Sequence, residues 1–171
     1  MESLHGRSVK TGIIAGLVVG LFFSILEMVG AAAMGAPALS PWHAFASTVL
    51  GRRALEGDGG TIVVGIVAHF VLSAIYGGVY GLYEGALSDQ ARHSWSTQVV
   101  SGLFYGIALY LLNFQVIARL IYPWFLGANQ PWQFLLHGLF FGVPLGLAMA
   151  YWERHESGVP TARAPSQATH A

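Results

Sequence analysis

The sequence predicts an all-α integral membrane protein: four transmembrane helices arranged as a tandem two-helix repeat, with a short interfacial helix in the first outer loop. Three observations carry that expectation. Of the 171 residues, 54% are hydrophobic and only 9% charged, whereas a soluble domain keeps its surface wet with roughly 25% charged residues. Four apolar segments, 11–34, 61–83, 98–118 and 132–152, each reach the roughly 20 residues that a helix needs to cross a hydrocarbon core. Glycine recurs at four-residue spacing in all of them.

Taken in order, residues 1–10 read as a cytoplasmic N-terminus and 11–152 as the transmembrane domain. Arg7 and Lys10 precede the first span and Ala31-Ala32-Ala33 resembles a cleavage site. The apolar run is nevertheless longer than the about 7 to 15 residues of a signal peptide, so it reads as a retained span. In the next loop Ser40 reads as an N-cap and Pro41 as the first helical residue. Trp42, Phe45, Ala46, Val49 and Leu50 then share one helical face, with His43, Ser47 and Arg53 off it, the pattern of a helix lying in the interface. Gly57-Asp58-Gly59-Gly60 breaks it before the second span. Residues 153–171 are rich in Ser, Pro, Ala and Thr with no apolar period, the composition of a disordered cytoplasmic tail.

Lysine and arginine near the span ends set orientation. With the N-terminus inside, Arg7, Lys10, Arg92, Arg154 and Arg163 are cytoplasmic, against Arg52, Arg53 and Arg119 outside. Both termini are therefore expected on the cytoplasmic side of a bacterial inner membrane. Eight acids balance eight bases, so no basic field invites nucleic acid. Membrane lipid is the expected partner, and a homo-oligomer or a larger membrane complex stays open. Cysteine is absent, which removes disulfides, thiolate metal sites and cysteine nucleophiles. No hydrolase elbow, phosphate loop or zinc-protease signature occurs, so the expectation is a non-enzymatic protein.

The repeat emerges when the spans are superposed. A shift of 86 residues puts Gly16 on Gly102, Gly20 on Gly106, Glu27 on Asn113 and Pro37 on Pro123. A shift of 68 puts His69 on His137, Gly78 on Gly146 and Tyr83 on Tyr151. A two-helix unit enters the membrane from the same side each time, which implies a pseudo-two-fold axis along the membrane normal. The glycine stripes are Gly12, Gly16 and Gly20; Gly77, Gly81 and Gly85; Gly102 and Gly106; and Gly138, Gly142 and Gly146. Such stripes let helix backbones approach in lipid, where no hydrophobic force drives helices together.

Glu27 is the acid deepest in an apolar span, and it follows Gly20 by seven residues on the same face. Intramembrane ionisable groups cost about 2.5 to 3.5 kcal/mol on insertion scales and therefore have a partner or a role. Asn113 takes the equivalent place after Gly106, and His69 and His137 enter at matching depths, so the four define one polar layer in the outer half. Ser73, Tyr76, Tyr80 and Tyr83 share the His69 face. The layer reads first as a hydrogen-bonded clamp of Glu27, His69, Asn113 and His137 completed by Tyr76 or Tyr80, with no cofactor. Haem b on His69 and His137, a divalent metal held by the same histidines with Glu27, and proton or ion passage through Glu27 are the alternatives.

The run from Ala15-Gly16 to Glu27 followed by Pro37, then His69 with a Gly- and Tyr-rich helix after it, a Gly-rich third span and His137 in the last span resembles the small bacterial inner-membrane proteins of the YagU type. The likeness covers residues 11–155, although the first outer loop is shorter here than in that family. The resemblance implies a four-span plan and an association with acid resistance, and it brings no established activity, cofactor or catalytic residue. The expected function is thus a structural or accessory role tied to envelope or acid stress. The alternatives are a redox membrane subunit using His69 and His137, and a small oligomeric conduit through Glu27.

Overall fold

A computed structural model of the protein describes residues 4–156. The order is α1 (Leu4–Ala33), α2 (Ser40–Leu50), a 3-10 turn (Arg52–Glu56), α3 (Gly59–Gly85) and α4 (Asp89–His93). After these come α5 (Trp95–Leu120), a 3-10 turn (Pro123–Gly127) and α6 (Gln130–Glu156). No strand occurs among the described residues. Four helices are long and apolar enough to cross a membrane: α1 from Gly6, α3, α5 and α6. With four spans, both described chain ends lie at one face, the terminal face, and α2 with the Pro123–Gly127 turn lies at the other, the α2 face.

The surface is inverted relative to a water-soluble fold. Val18, Val63 and Phe104 are 59%, 60% and 65% exposed, while Glu84 and Gln98 are fully enclosed. Lipid makes this the stable order, because apolar side chains meet hydrocarbon at no cost and polar ones must find partners inside the protein. The chain is a multi-pass, all-α membrane protein.

Glycine brings the spans together in pairs. In the α1/α3 pair a methyl group on Gly12 would strike the Gly77 carbonyl oxygen, and one on Gly77 would strike that of Gly12. Gly16 lies against the Ser73 carbonyl and the Gly77 Cα, and Gly81 against the backbone of Ser8 and Val9. The α5/α6 pair is built alike: Gly102 and Gly142 each face the other's carbonyl, Gly106 faces that of His137, and Gly146 that of Gln98. The pairs join through α1 and α6, where Ala15, Val19 and Phe23 share a core with Leu136, Phe141, Leu145 and Met149. The backbones of α3 and α5 stay apart.

Several expectations are corrected in detail. The spans extend one or more residues past most of their expected bounds, and α6 stays helical through Glu156, so the tail does not begin at Glu153; the remainder of the expected tail, 157–171, lies outside the described residues. Ser40 is the first residue of α2 and not its cap, since Leu39 holds the cap position without a side-chain hydrogen bond. The buried face of α2 is Pro41, Trp42, Ala46 and Ser47, while Val49 and Leu50 are exposed. The reason is Gly65 of α3, which receives the Trp42 carbonyl and sets the rotation of α2. Gly51 ends that helix at φ 79°, a left-handed conformation that favours glycine. The 68-residue register also fails beyond the histidines: Gly16 packs on Gly77 and Gly102 on Gly146, which is a shift of 69. A π-helical segment at Leu136–Gly142 explains it, because a π turn inserts a residue into the helical register.

Candidate functional site

The five residues of the expected polar layer, Glu27, His69, Tyr76, Asn113 and His137, all line one cavity of about 800 Å³. It occupies the α2-face half of the bundle, between α1, α2, α3, α5, α6 and the Pro123–Gly127 turn. Asn113 and His137 each sit in a π-helical segment, Leu111–Ile117 and Leu136–Gly142. Such bulges widen a helix locally and recur at functional sites.

Direct bonds within the expected layer are fewer than its clustering suggests. The Tyr76 hydroxyl donates to Asn113 Oδ1 at 2.8 Å. Glu27 is held by neither histidine: its Oε1 accepts from Gln133 Nε2 at 2.8 Å. His69 Nε2 lies 2.8 Å from the Gly20 carbonyl and His137 Nδ1 2.8 Å from the Gln133 carbonyl. A carbonyl only accepts, so each ring nitrogen carries the proton there. Gln133 thereby ties Glu27 and His137 together, its amide to one and its carbonyl to the other. Tyr80 belongs elsewhere, donating to Gln98 Oε1 at 2.8 Å.

The imidazoles fit haem or a shared metal poorly. Phe23 stacks on His69 at 6.0 Å between centroids and meets His137 edge-on at 5.1 Å, so the rings are not set face to face across an open slot. The Nε2 of His69 is committed as a donor to Gly20. Among the described residues, no three His, Cys, Asp or Glu side chains cluster so as to hold a metal. His43 bonds the Ala54 carbonyl from Nδ1 at 3.2 Å.

A second polar group joins α3 to α5 nearer the terminal face. Gln98 Nε2 donates to Glu84 Oε1 at 2.9 Å, Tyr80 donates to Gln98, and the Tyr83 and Ser101 hydroxyls lie 3.1 Å apart. The Tyr105 hydroxyl donates to the Tyr76 carbonyl at 2.6 Å. Arg92, also buried, pairs with Asp89.

No family model, curated protein or solved structure matches this chain. The residues must therefore speak for themselves. Sequence reasoning missed Gln98, Gln133 and Glu84. Glu84 fell just past the expected end of the second span. The two glutamines sit in the first turns of their helices, α5 and α6, where an amide reads as interfacial. The alignment did hold a signal, since the 86-residue shift sets Gln98 on Gly12, a helix-contact position.

Proposed function

We propose that the protein is a non-enzymatic accessory protein of the bacterial inner membrane, both termini cytoplasmic, in which the polar layer clamps the α2-face half of a duplicated two-helix unit. The carrying observation is the bond from Gln133 Nε2 to Glu27 Oε1, which joins the two helix pairs through an acid enclosed in an apolar span. Tyr76 to Asn113 supports it as a second cross-pair bond. The matched glycine contacts of the two pairs support the duplication, and kinship with the YagU type remains the proposal for its lineage and its link to acid stress.

The test is the melting temperature of Glu27→Gln in detergent beside cell survival at low pH. An amide keeps an acceptor for Gln133, so the clamp predicts a change no larger than the about 0.6 kcal/mol typical of a transmembrane hydrogen bond, with survival intact. Unchanged melting with lost survival would make titration of Glu27 its role and set the clamp aside.

A further inference from the structure

The cavity is more than the clamp needs, and its walls, mouth and floor differ in chemistry. Its volume of about 800 Å³ lies within the roughly 300 to 1,000 Å³ of small-molecule sites. Its walls are apolar, with Phe45, Leu109, Phe114 and Phe125 among them. Val71 and Leu72 of α3 and Ile117 and Ile121 of α5 all line it, and Val71 and Ile121 are 52% and 58% exposed on the lipid-facing surface. Here the backbones of α3 and α5 are apart, and the side-chain bonds between these two helices stop at Tyr76 and Asn113. The mouth therefore opens sideways into the hydrocarbon. The α2-face end is bridged over part of its width: Tyr122 donates to the Thr48 carbonyl at 3.0 Å and Trp124 Nε1 to Ser47 Oγ at 2.8 Å, fastening the Pro123–Gly127 turn to α2, while Met34, Ala36 and Asn129 line its edge and are exposed.

The floor carries hydrogen-bonding atoms that the clamp leaves over. Among the described residues nothing bonds Glu27 Oε2, Asn113 Nδ2 or His137 Nε2, and none of the three is a fully enclosed atom without a partner. Two of these groups can accept and one donates. No lysine or arginine lines the cavity, so an anionic headgroup would enter without a counter-charge, at the cost that buried unpaired charge carries.

We propose that this cavity is a binding site for an uncharged single-chain amphiphile, entered laterally from the bilayer between α3 and α5, with a hydroxyl-bearing head on Glu27, Asn113 and His137 and its apolar chain leaving through the mouth. One compact head matches the small polar floor, and one chain matches a single slot between two helices. The site does not depend on the biological role proposed above, because it follows from the shape and chemistry of the cavity.

The experiment uses the full chain in phosphatidylcholine nanodiscs and follows tryptophan fluorescence, since Trp132 lines the cavity. The probe is a monoacylglycerol with a dibrominated stearoyl chain, and its reference is phosphatidylcholine carrying the same chains at equal bromine density. The site predicts saturable quenching beyond that of the reference, reversed by 1-monoolein and not by methyl oleate, which has the chain but no hydroxyl. Asn113→Ala should weaken the saturable component about five- to tenfold, the value of one hydrogen bond. Ala44→Phe, which fills the cavity from α2, should abolish it, and Val63→Phe on the outer surface of α3 should leave it unchanged. Equal, non-saturating quenching by the two brominated lipids would overturn the proposal, as would equal reversal by methyl oleate. Both arms use the unmodified protein, so they hold even if a variant fails to fold.

Discussion

The seam between α3 and α5 is two different structures in its two halves. Toward the terminal face, Tyr80, Tyr83, Glu84, Gln98, Ser101 and Tyr105 close it with hydrogen bonds. Toward the α2 face the last such bond is Tyr76 to Asn113, and beyond it the gap widens into the cavity. Neither half has the glycine-on-backbone contact of the α1/α3 and α5/α6 pairs. Glycine contacts fix two helices rigidly at one distance, whereas long polar side chains hold two helices apart at a distance that can end in a pocket. The same bundle thus spends small residues where it needs a sealed pair and polar ones where it needs a spacer.

Breaking the glycine pairs should have the largest effect. Gly16→Leu, Gly81→Leu, Gly106→Leu and Gly142→Leu each force a side chain into a neighbouring backbone, and folded yield by size-exclusion chromatography should fall sharply for all four. Leu21→Phe, 52% exposed to lipid, should leave it at the wild-type level. Equal tolerance at both kinds of position would dissolve the contrast between seams.

The two halves of the polar seam should then separate from each other. Gln98→Leu leaves the enclosed Glu84 without its hydrogen bond and should cost about 1–3 kcal/mol in detergent melting, the price of an orphaned buried polar group. Asn113→Leu releases only a tyrosine hydroxyl beside a cavity and should cost nearer 0.6 kcal/mol. If Asn113→Leu is the more damaging, the α2-face half carries the seam.

Smallest is the cap of α3. Backbone amides of Thr61 and Gly60 bond the Asp58 carboxylate and hold its carboxyl below the usual carboxylate range. A lowered pKa in the folded state means that this contribution is present above the unfolded value and is lost as pH falls through the folded one. Hydrogen exchange in the first turn of α3 should speed up in that acid window for the wild type. In Asp58→Asn, which keeps a capping oxygen, it should not change there.

Much of this was legible in the sequence, for physical reasons. Length and hydropathy determine spans because lipid forces every backbone group into helical bonds; glycines of the four-residue stripes do lie at the α1/α3 and α5/α6 contacts, but their spacing named no partner helix. Glu27, His69, Tyr76, Asn113 and His137 do meet at one cavity. Their partners were not legible: Gln133 reaches Glu27 from 106 residues away, and an amide near a helix start carries no mark of that. The π segments were equally hidden, since Leu111–Ile117 holds no proline or glycine to mark a break. The one-residue slip that Leu136–Gly142 introduces shows in the helix contacts and not in the sequence spacing. The cavity itself is made by what α3 and α5 do not do, and periodicity reports contacts more readily than gaps.

The division of the seam can be measured directly, because a chain without cysteine accepts single nitroxide labels with no background to remove. Leu72 and Ser101 are half-buried positions on α3 and α5, one in each half, beside the exposed Val71 and Val100. Collision rates with dissolved oxygen, each divided by that of the exposed neighbour at the same depth, should give a ratio approaching one at Leu72 and a much smaller one at Ser101. Equally small ratios at both positions would mean that α3 and α5 are closed along their whole length, and that there is no lateral mouth.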